Sequence, residues 1–224
     1  MLLSIFDITD QRALEDEREK LLLQKDLLLK EMRHRIANSL QLIASILLLK
    51  AGSVDSKESR SHLEDAHERI LSIATVQQQL DPVGHGEEIG VANYLQSLCK
   101  SLSRSMIGGR KPITLHAESS PGTVSSDTAI SLGLITTELV INALKHAFTP
   151  GKSGRIIVTY NASGSAWTLS VEDNGVGESD EKKAHPRGLG TSIIGALANQ
   201  LNAIIRIESS ELFGTKVSII HASV

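Results

Sequence analysis

Cysteine and aromatic residues are scarce in this sequence of 224 residues, which has one cysteine, Cys99, and only 3% aromatic residues. A single cysteine excludes an internal disulfide framework and favours a reducing compartment. The net charge of -3 at pH 7 gives no basic excess of the kind that nucleic-acid binding requires, so we expect no nucleic-acid partner. The most apolar run, residues 40–49, is about half the roughly 20 residues that a bilayer crossing needs. No basic region precedes an apolar core at the N-terminus. We therefore expect a cytoplasmic chain with no membrane segment.

The first third of the sequence is typical of two long helices. Residues 12–49 contain neither glycine nor proline, and leucine recurs every seven positions at Leu14, Leu21, Leu28, Leu42 and Leu49. A breaker cluster at 51–53 precedes a second helical pattern over 57–80. Two helices leave one side of their apolar contact open, so residues 12–80 predict a helical hairpin that dimerises into a four-helix bundle.

The remainder predicts a second, α/β domain. Residues 81–86 are rich in glycine and proline and form a candidate linker, and residues 87–224 alternate between helical and strand patterns. Helices are predicted at 87–106, 126–148 and 191–201, and strands at 113–117, 155–160, 166–172, 204–208 and 215–221. The predicted fold class is α+β, with the helical hairpin followed by an α/β sandwich whose mixed sheet is covered by helices on one side.

Polar residues recur every four positions along the predicted helix 126–148, at Glu138, Asn142 and His146. This spacing places them on one helical face, about one turn apart. A carboxylate and an amide oxygen on adjacent turns are suitable Mg²⁺ ligands, and Lys145 or His146 can reach a phosphate. A solvated helix face is the alternative interpretation of this stripe.

Two glycine-containing turns follow. Asp173-Asn174-Gly175-Val176-Gly177 ends a predicted strand, and Asp173 can accept a hydrogen bond from an exocyclic amine such as that of adenine. A simple hairpin turn explains the same residues. Gly188-Leu189-Gly190-Thr191 leads into a helix whose N-terminal N–H groups can bind phosphate oxygens. The charged segment between them, 178–187, suits a lid over a nucleotide.

Four motifs in this region are more specific in their order than any one of them alone. They are Glu138-X-X-X-Asn142, Asp173-X-Gly175-X-Gly177, Gly188-X-Gly190 and Gly214-Thr215. The set resembles the ATP-binding (GHKL or Bergerat) domain shared by histidine kinases, gyrase, Hsp90 and MutL, over roughly residues 85–222. The resemblance implies that Asn142 and Glu138 serve the Mg²⁺ ion, that Glu138 also acts near the phosphates, and that Asp173 binds adenine. It further implies nucleotide contacts from Lys145, His146, Gly175, Gly177, Gly188, Leu189, Gly190, Thr191 and Thr215.

A histidine in the first helix acquires a role from this resemblance. The pattern His34-Arg35-X-X-Asn38-X-Leu40-Gln41 is similar to the phosphoacceptor box of the HWE-related, HisKA_2-type histidine kinases. The Trp-X-Glu element of the HWE kinases proper is missing, because Trp167 is followed by threonine and leucine. Residues 1–11 resemble the last strand and exit of a PAS sensor domain.

The residues around His34 depart from the family in one respect. Many histidine kinases carry an acidic residue directly after the phosphoacceptor, whereas this sequence has Arg35. Glu31, one turn earlier, is a candidate substitute base, and Arg35 is a candidate partner for the γ-phosphate or the second helix. Asn38 is a candidate for orienting water in the reverse, phosphatase reaction.

The resemblance implies a sensor histidine kinase core that phosphorylates His34 from Mg-ATP and passes the phosphoryl group to an aspartate of a response-regulator receiver domain. Two other functions remain open. A non-catalytic phosphotransfer module would keep the hairpin and His34 but lack a working nucleotide pocket. A serine kinase or ATPase of the same superfamily would use the hairpin only to dimerise.

Overall fold

The computed structural model describes residues 9–79, 88–107, 112–149, 151–177, 189–210 and 213–222. The predicted PAS strand, the whole 81–86 linker and the 178–187 lid lie outside these residues. Helix α1 spans Thr9–Gly52 and helix α2 spans Lys57–Gln79, and the two pack together as the predicted hairpin. At 44 against 23 residues, α1 is nearly twice as long as α2, so the N-terminal half of α1 extends beyond its partner.

Small residues and one histidine hold the two helices together. Ala37, Ala44 and Ala51 of α1 are buried at intervals of seven residues, which lets the helices approach closely on that face. The Nδ1 atom of His67 lies 2.8 Å from the carbonyl oxygen of Ala44 and fixes the register of the antiparallel pair. The leucines of the heptad repeat lie on the exposed side instead: Leu14, Leu21, Leu28, Leu42 and Leu49 are all more than half exposed.

In the part that the structure describes, the second domain is built on a five-stranded sheet, to which three α-helices and a separate two-stranded sheet are added. Its elements are β1 (Glu88–Gly90), α3 (Val91–Leu102), β2 (Ile113–Ser119), β3 (Thr123–Ser125), α4 (Ser126–His146), β4 (Gly154–Ser163), β5 (Ala166–Asp173), α5 (Leu189–Gln200), β6 (Ile204–Ser210) and β7 (Gly214–His221). The sheet order is β2-β4-β5-β7-β6, with β2 parallel to β4 and the other pairs antiparallel. The predicted mixed sheet is confirmed.

The start of this domain differs from the prediction. We expected a helix from residue 87, but Glu88–Gly90 forms a short strand that pairs with β3, and α3 begins only at Val91. The helix also ends early, at Leu102, and one π-helical turn follows over Ser103–Ile107. Antiparallel pairing with a distant segment prevails here over a local helical pattern.

Helix α4 forms the centre of the domain core. The side-chain oxygen of Ser125 accepts a hydrogen bond from the Thr128 N–H and caps the helix. Leu132, Ile135 and Val140 are fully buried on α4 and belong to one core with residues of α3 and the sheet. By length and composition α4 is apolar enough to cross a membrane, but 72% of its most apolar window is buried inside the protein. That burial is typical of a core helix.

The only tryptophan lies at the end of the sheet remote from Asp173. Trp167, near the start of β5, stacks on Tyr160 of β4 at 6.1 Å between ring centroids and on His221 of β7 at 5.4 Å. Asp173 is the last residue of the same strand. The aromatic stack and the candidate adenine site are therefore separated by the length of β5.

Candidate functional site

The polar stripe of α4 faces a partly enclosed environment. Glu138 is buried at 4% exposure, Asn142 is half-buried, and His146 is exposed at the end of the helix. Burial raises the pKa of the Glu138 carboxyl, and the nearby charges of Arg69 and Lys145 partly oppose that effect. The alternative interpretation of a solvated helix face does not apply to Glu138, whereas it describes His146.

The Asp173 turn is fixed to the C-terminal end of α4. The Val176 N–H donates a 2.9 Å hydrogen bond to the Ala147 carbonyl oxygen, just beyond the helix. A Cβ atom on Gly175 would collide with that same carbonyl oxygen, so only glycine allows this close approach. This contact brings the Asp173 motif next to the helix that carries Glu138 and Asn142.

Asp173 is buried at 6% exposure and is held by backbone donors. Its Oδ1 atom accepts hydrogen bonds from the Gly175 N–H at 2.9 Å and the Thr215 N–H at 3.3 Å. Burial raises the pKa of the Asp173 carboxyl, and these two hydrogen bonds partly oppose the shift. Within the described part of the chain no hydrogen bond to Oδ2 is found, so this oxygen is available as an acceptor for a ligand amine.

Asn174 and Gly214 support this turn. The Asn174 side-chain Oδ1 accepts a 2.6 Å hydrogen bond from the Arg155 N–H, so Asn174 serves the backbone. Gly214 has a φ of 82°, and a Cβ there would collide with the Asp173 carbonyl oxygen. Thr215, a predicted nucleotide contact, adjoins Asp173 through its backbone N–H, while its hydroxyl lies 3.0 Å from that of Ser209.

Replacement of Gly214 by alanine is expected to lower both stability and nucleotide binding. A positive φ costs an L-residue about 1–2 kcal/mol, and overpacking against Asp173 adds about 1–3 kcal/mol. Gly151 is a matched control, because it has a φ of 83° and open space where its Cβ would lie. Urea unfolding should show only the first cost for Gly151→Ala and both for Gly214→Ala. Equal midpoints for the two variants would contradict the predicted contact.

Some predicted nucleotide ligands cannot be placed. Gly188 lies outside the described residues, and the side chains of Leu189 and Thr191 are likewise not described. Helix α5 begins at Leu189, so Gly190 and Thr191 lie in its first turn, where N–H groups lack intrahelical partners. Gly177 adopts a φ of 65°, which suits glycine at the exit of the Asp173 turn.

Lys145 differs from its predicted environment. Its Nζ atom lies 2.7 Å from Asp65 Oδ1 and 2.5 Å from Glu68 Oε2, both on α2. Arg69 of the same helix lies 3.7 Å from Glu138 Oε2. Sequence reasoning missed these three residues of α2, because no spacing rule relates residues about 70 to 80 positions apart.

The predicted phosphoacceptor is exposed on α1. His34 and Asn38 lie one turn apart on the same helical face, and both are exposed to solvent. Arg35 forms a 2.6 Å ion pair with Glu31 on its own helix. Glu31 is therefore engaged by Arg35, and both side chains are more than half exposed, so this pair adds little to stability.

A hairpin with an exposed histidine, next to an α/β sandwich that carries an ordered set of nucleotide-binding motifs, defines the class of histidine kinase cores. The chain belongs to the histidine kinases: residues 31–106 match the HisKA_2 family, described as histidine kinase, and residues 127–223 match the family described as histidine kinase-, DNA gyrase B- and HSP90-like ATPase.

Curated relatives and solved structures agree with this assignment. The chain is 32% identical to the sensor histidine kinase PdtaS of Mycolicibacterium smegmatis and 29% identical to PdtaS of Mycobacterium tuberculosis, in each case over 77% of this chain and 34% of the relative. It thus spans about a third of the length of these relatives. The histidine kinase domain of the Erythrobacter litoralis EL346 blue-light activated histidine kinase superposes with a TM-score of 0.61 at 23% identity, covering 85% of this chain and 94% of that domain. This likeness supports the fold.

Proposed function

We propose that this chain is the catalytic core of a sensor histidine kinase, which transfers the γ-phosphoryl group of Mg-ATP to a ring nitrogen of His34. The observation that carries the proposal is the hydrogen bond from Val176 to Ala147, because it joins the Asp173 turn to the helix bearing Glu138 and Asn142. The carboxylate oxygen of Asp173 suits acceptance of a hydrogen bond from adenine, and the side-chain oxygens of Glu138 and Asn142 suit a hard cation. In this proposal Asn142 and Glu138 hold Mg²⁺, which neutralises phosphate charge when bound.

The chain's own residues supply positioning. Oδ2 of Asp173 accepts from the adenine amine, and the first-turn N–H groups of α5 with His146 face the phosphates. A neutral His34 imidazole attacks the γ-phosphorus, the bond to the β,γ-bridging oxygen breaks, and ADP leaves with that oxygen. The ring proton then passes to a base, for which Glu31 is a candidate only after it separates from Arg35.

We further propose that the phosphoryl group passes to an aspartate of a receiver domain docked on the hairpin, and that the chain works as a homodimer in the cytoplasm. The five heptad leucines of α1, each more than half exposed, favour a second hairpin as their cover. Asn38 remains a candidate for orienting water in dephosphorylation, since it is exposed one turn from His34.

Incubation with γ-labelled ATP and Mg²⁺ tests the reaction. We expect label that is lost in acid and retained in base, as for a phosphohistidine, and mass spectrometry should place it on the peptide containing His34. Acid-stable label on a hydroxyl would support a serine kinase. Absence of both label and ATP binding would support a non-catalytic phosphotransfer module.

A further inference from the structure

Helix α2 of the hairpin lies antiparallel along α4 of the ATP-binding domain. Contacts along the two helices run in opposite order: Asp65 meets Lys145, Arg69 meets Glu138, and Val76 lies beside Gly133. We call this contact the α2–α4 interface. It places a row of charged residues of α2 against the same helical face that carries the proposed Mg²⁺ and phosphate ligands.

The charges in this interface are partly removed from water. Lys145 bridges Asp65 and Glu68, with side chains between 34% and 46% exposed. Arg69 is 23% exposed beside the almost fully buried Glu138 side chain. Ion pairs in such an environment are screened less than exposed surface pairs. They therefore stabilise the contact between α2 and α4 more than the exposed Glu31–Arg35 pair stabilises α1.

The apolar end of the interface is less favourable. Val76 is fully buried there, and the Tyr94 hydroxyl, which lies next to Gly133, is buried with no hydrogen-bond partner in the described part of the chain. An unpaired buried hydroxyl destabilises the arrangement that buries it. Separation of Val76 from this site would admit water to the hydroxyl, which favours separation of α2 from α4. The ion pairs oppose that separation.

In this arrangement the Glu138 and Lys145 side of α4 meets the hairpin at a level different from that of His34. The His67 to Ala44 contact sets the hairpin register, and ten residues further along each helix places His34 near the Gln77 end of α2. Asp65 and Arg69 lie 8 to 12 residues back from that end, which is about 12–18 Å along a helix. The α4 face that meets them is therefore displaced from the phosphoacceptor along the hairpin axis.

We propose that Asp65, Glu68 and Arg69 form an ionic latch that holds the ATP-binding domain on α2, and that Mg-ATP displaces this latch by competing for Lys145 and Glu138. The proposal rests on the proposed function, since it takes Lys145 and Glu138 as nucleotide ligands. Binding of Mg-ATP is then linked to release of the ATP-binding domain from α2. Weakening the latch must therefore tighten nucleotide binding.

Two measurements on the full chain test the latch. First, isothermal calorimetry should give Asp65→Asn/Glu68→Gln a Kd for Mg-ATP about fivefold or more below that of the wild type. The control Glu58→Gln/Glu64→Gln removes the same charge from exposed positions of α2 and should bind like the wild type. Second, spin labels at Ser61→Cys and Ser153→Cys, both exposed, report the separation of α2 from the ATP-binding domain, because Cys99 is buried.

The label distance should lengthen when Mg-ATP is added to the wild type, and in the Asp65→Asn/Glu68→Gln variant even without nucleotide. An unchanged distance together with an unchanged Kd in that variant would overturn the latch and leave the proposed function intact. If neither the wild type nor the variants bind Mg-ATP, both the proposed function and the competition fail.

Discussion

A His34→Ala chain is expected to bind Mg-ATP with wild-type affinity and to take up no acid-labile phosphate. His34 is exposed on α1, outside the ATP-binding domain, so its removal leaves the Glu138, Asn142 and Asp173 site unchanged. The acceptor nitrogen is lost altogether, and the label should fall to background. Filter binding of ³²P after alkaline wash, together with calorimetry on the same sample, measures both quantities.

His62→Ala provides the matched control. His62 is a second exposed histidine of the hairpin, on α2, with a side chain that is 69% exposed. It should keep full labelling. Retention of acid-labile label in His34→Ala, or its loss in His62→Ala, would show that the phosphoacceptor has been assigned to the wrong residue.

Asp173→Asn is expected to increase stability and to weaken ATP binding by about tenfold to a hundredfold. Oδ1 would still accept the two backbone hydrogen bonds from Gly175 and Thr215, which fixes the new NH₂ group where Oδ2 now lies. That group is a donor and would face the donor amine of adenine. A buried polar group left unpaired costs about 1–3 kcal/mol, which corresponds to this loss of affinity.

The stability gain follows from the direction of the pKa shift. Burial raises the pKa of Asp173 in the folded state above its value in the unfolded chain. The protonated carboxyl therefore contributes stability below the unfolded pKa, and this contribution is lost as the pH rises through the folded pKa. An amide has no such loss. Thermal melts should therefore show a higher Tm for Asp173→Asn at pH 7, with the advantage shrinking as the pH is lowered. A lower Tm for the variant at pH 7 would contradict this account.

Local patterns predicted most of the fold, because most elements here are long and regular. The strands at 155–160 and 166–172 were predicted within three residues of their ends, since the first is mostly apolar and the second alternates between apolar and polar residues. The strand Glu88–Gly90 was missed because three residues carry no periodicity and its partner, Thr123–Ser125, lies more than 30 residues away. Pairing of that kind is specified by tertiary contacts.

The candidate site was predictable where its chemistry is local. The Asp173 turn combines an acid with glycines at fixed offsets, and the structure explains both Gly175 and Gly214 by close approach of backbone. The partners of Lys145 were not predictable, since an ion pair with Asp65 depends on how two domains meet. Helical spacing placed Lys145 beside the polar stripe of α4, but it carried no information on what lies across from that stripe.

The stacking of Trp167 between Tyr160 and His221 provides an optical label for one half of the molecule. As the chain contains no other tryptophan, fluorescence excited at the red edge of indole absorption reports on the β-sheet alone. Far-ultraviolet circular dichroism is dominated by the long helices α1 and α2. Denaturation curves that coincide by the two methods would mean that hairpin and sheet unfold as one cooperative unit, and curves that separate would give each domain its own midpoint without truncating the chain.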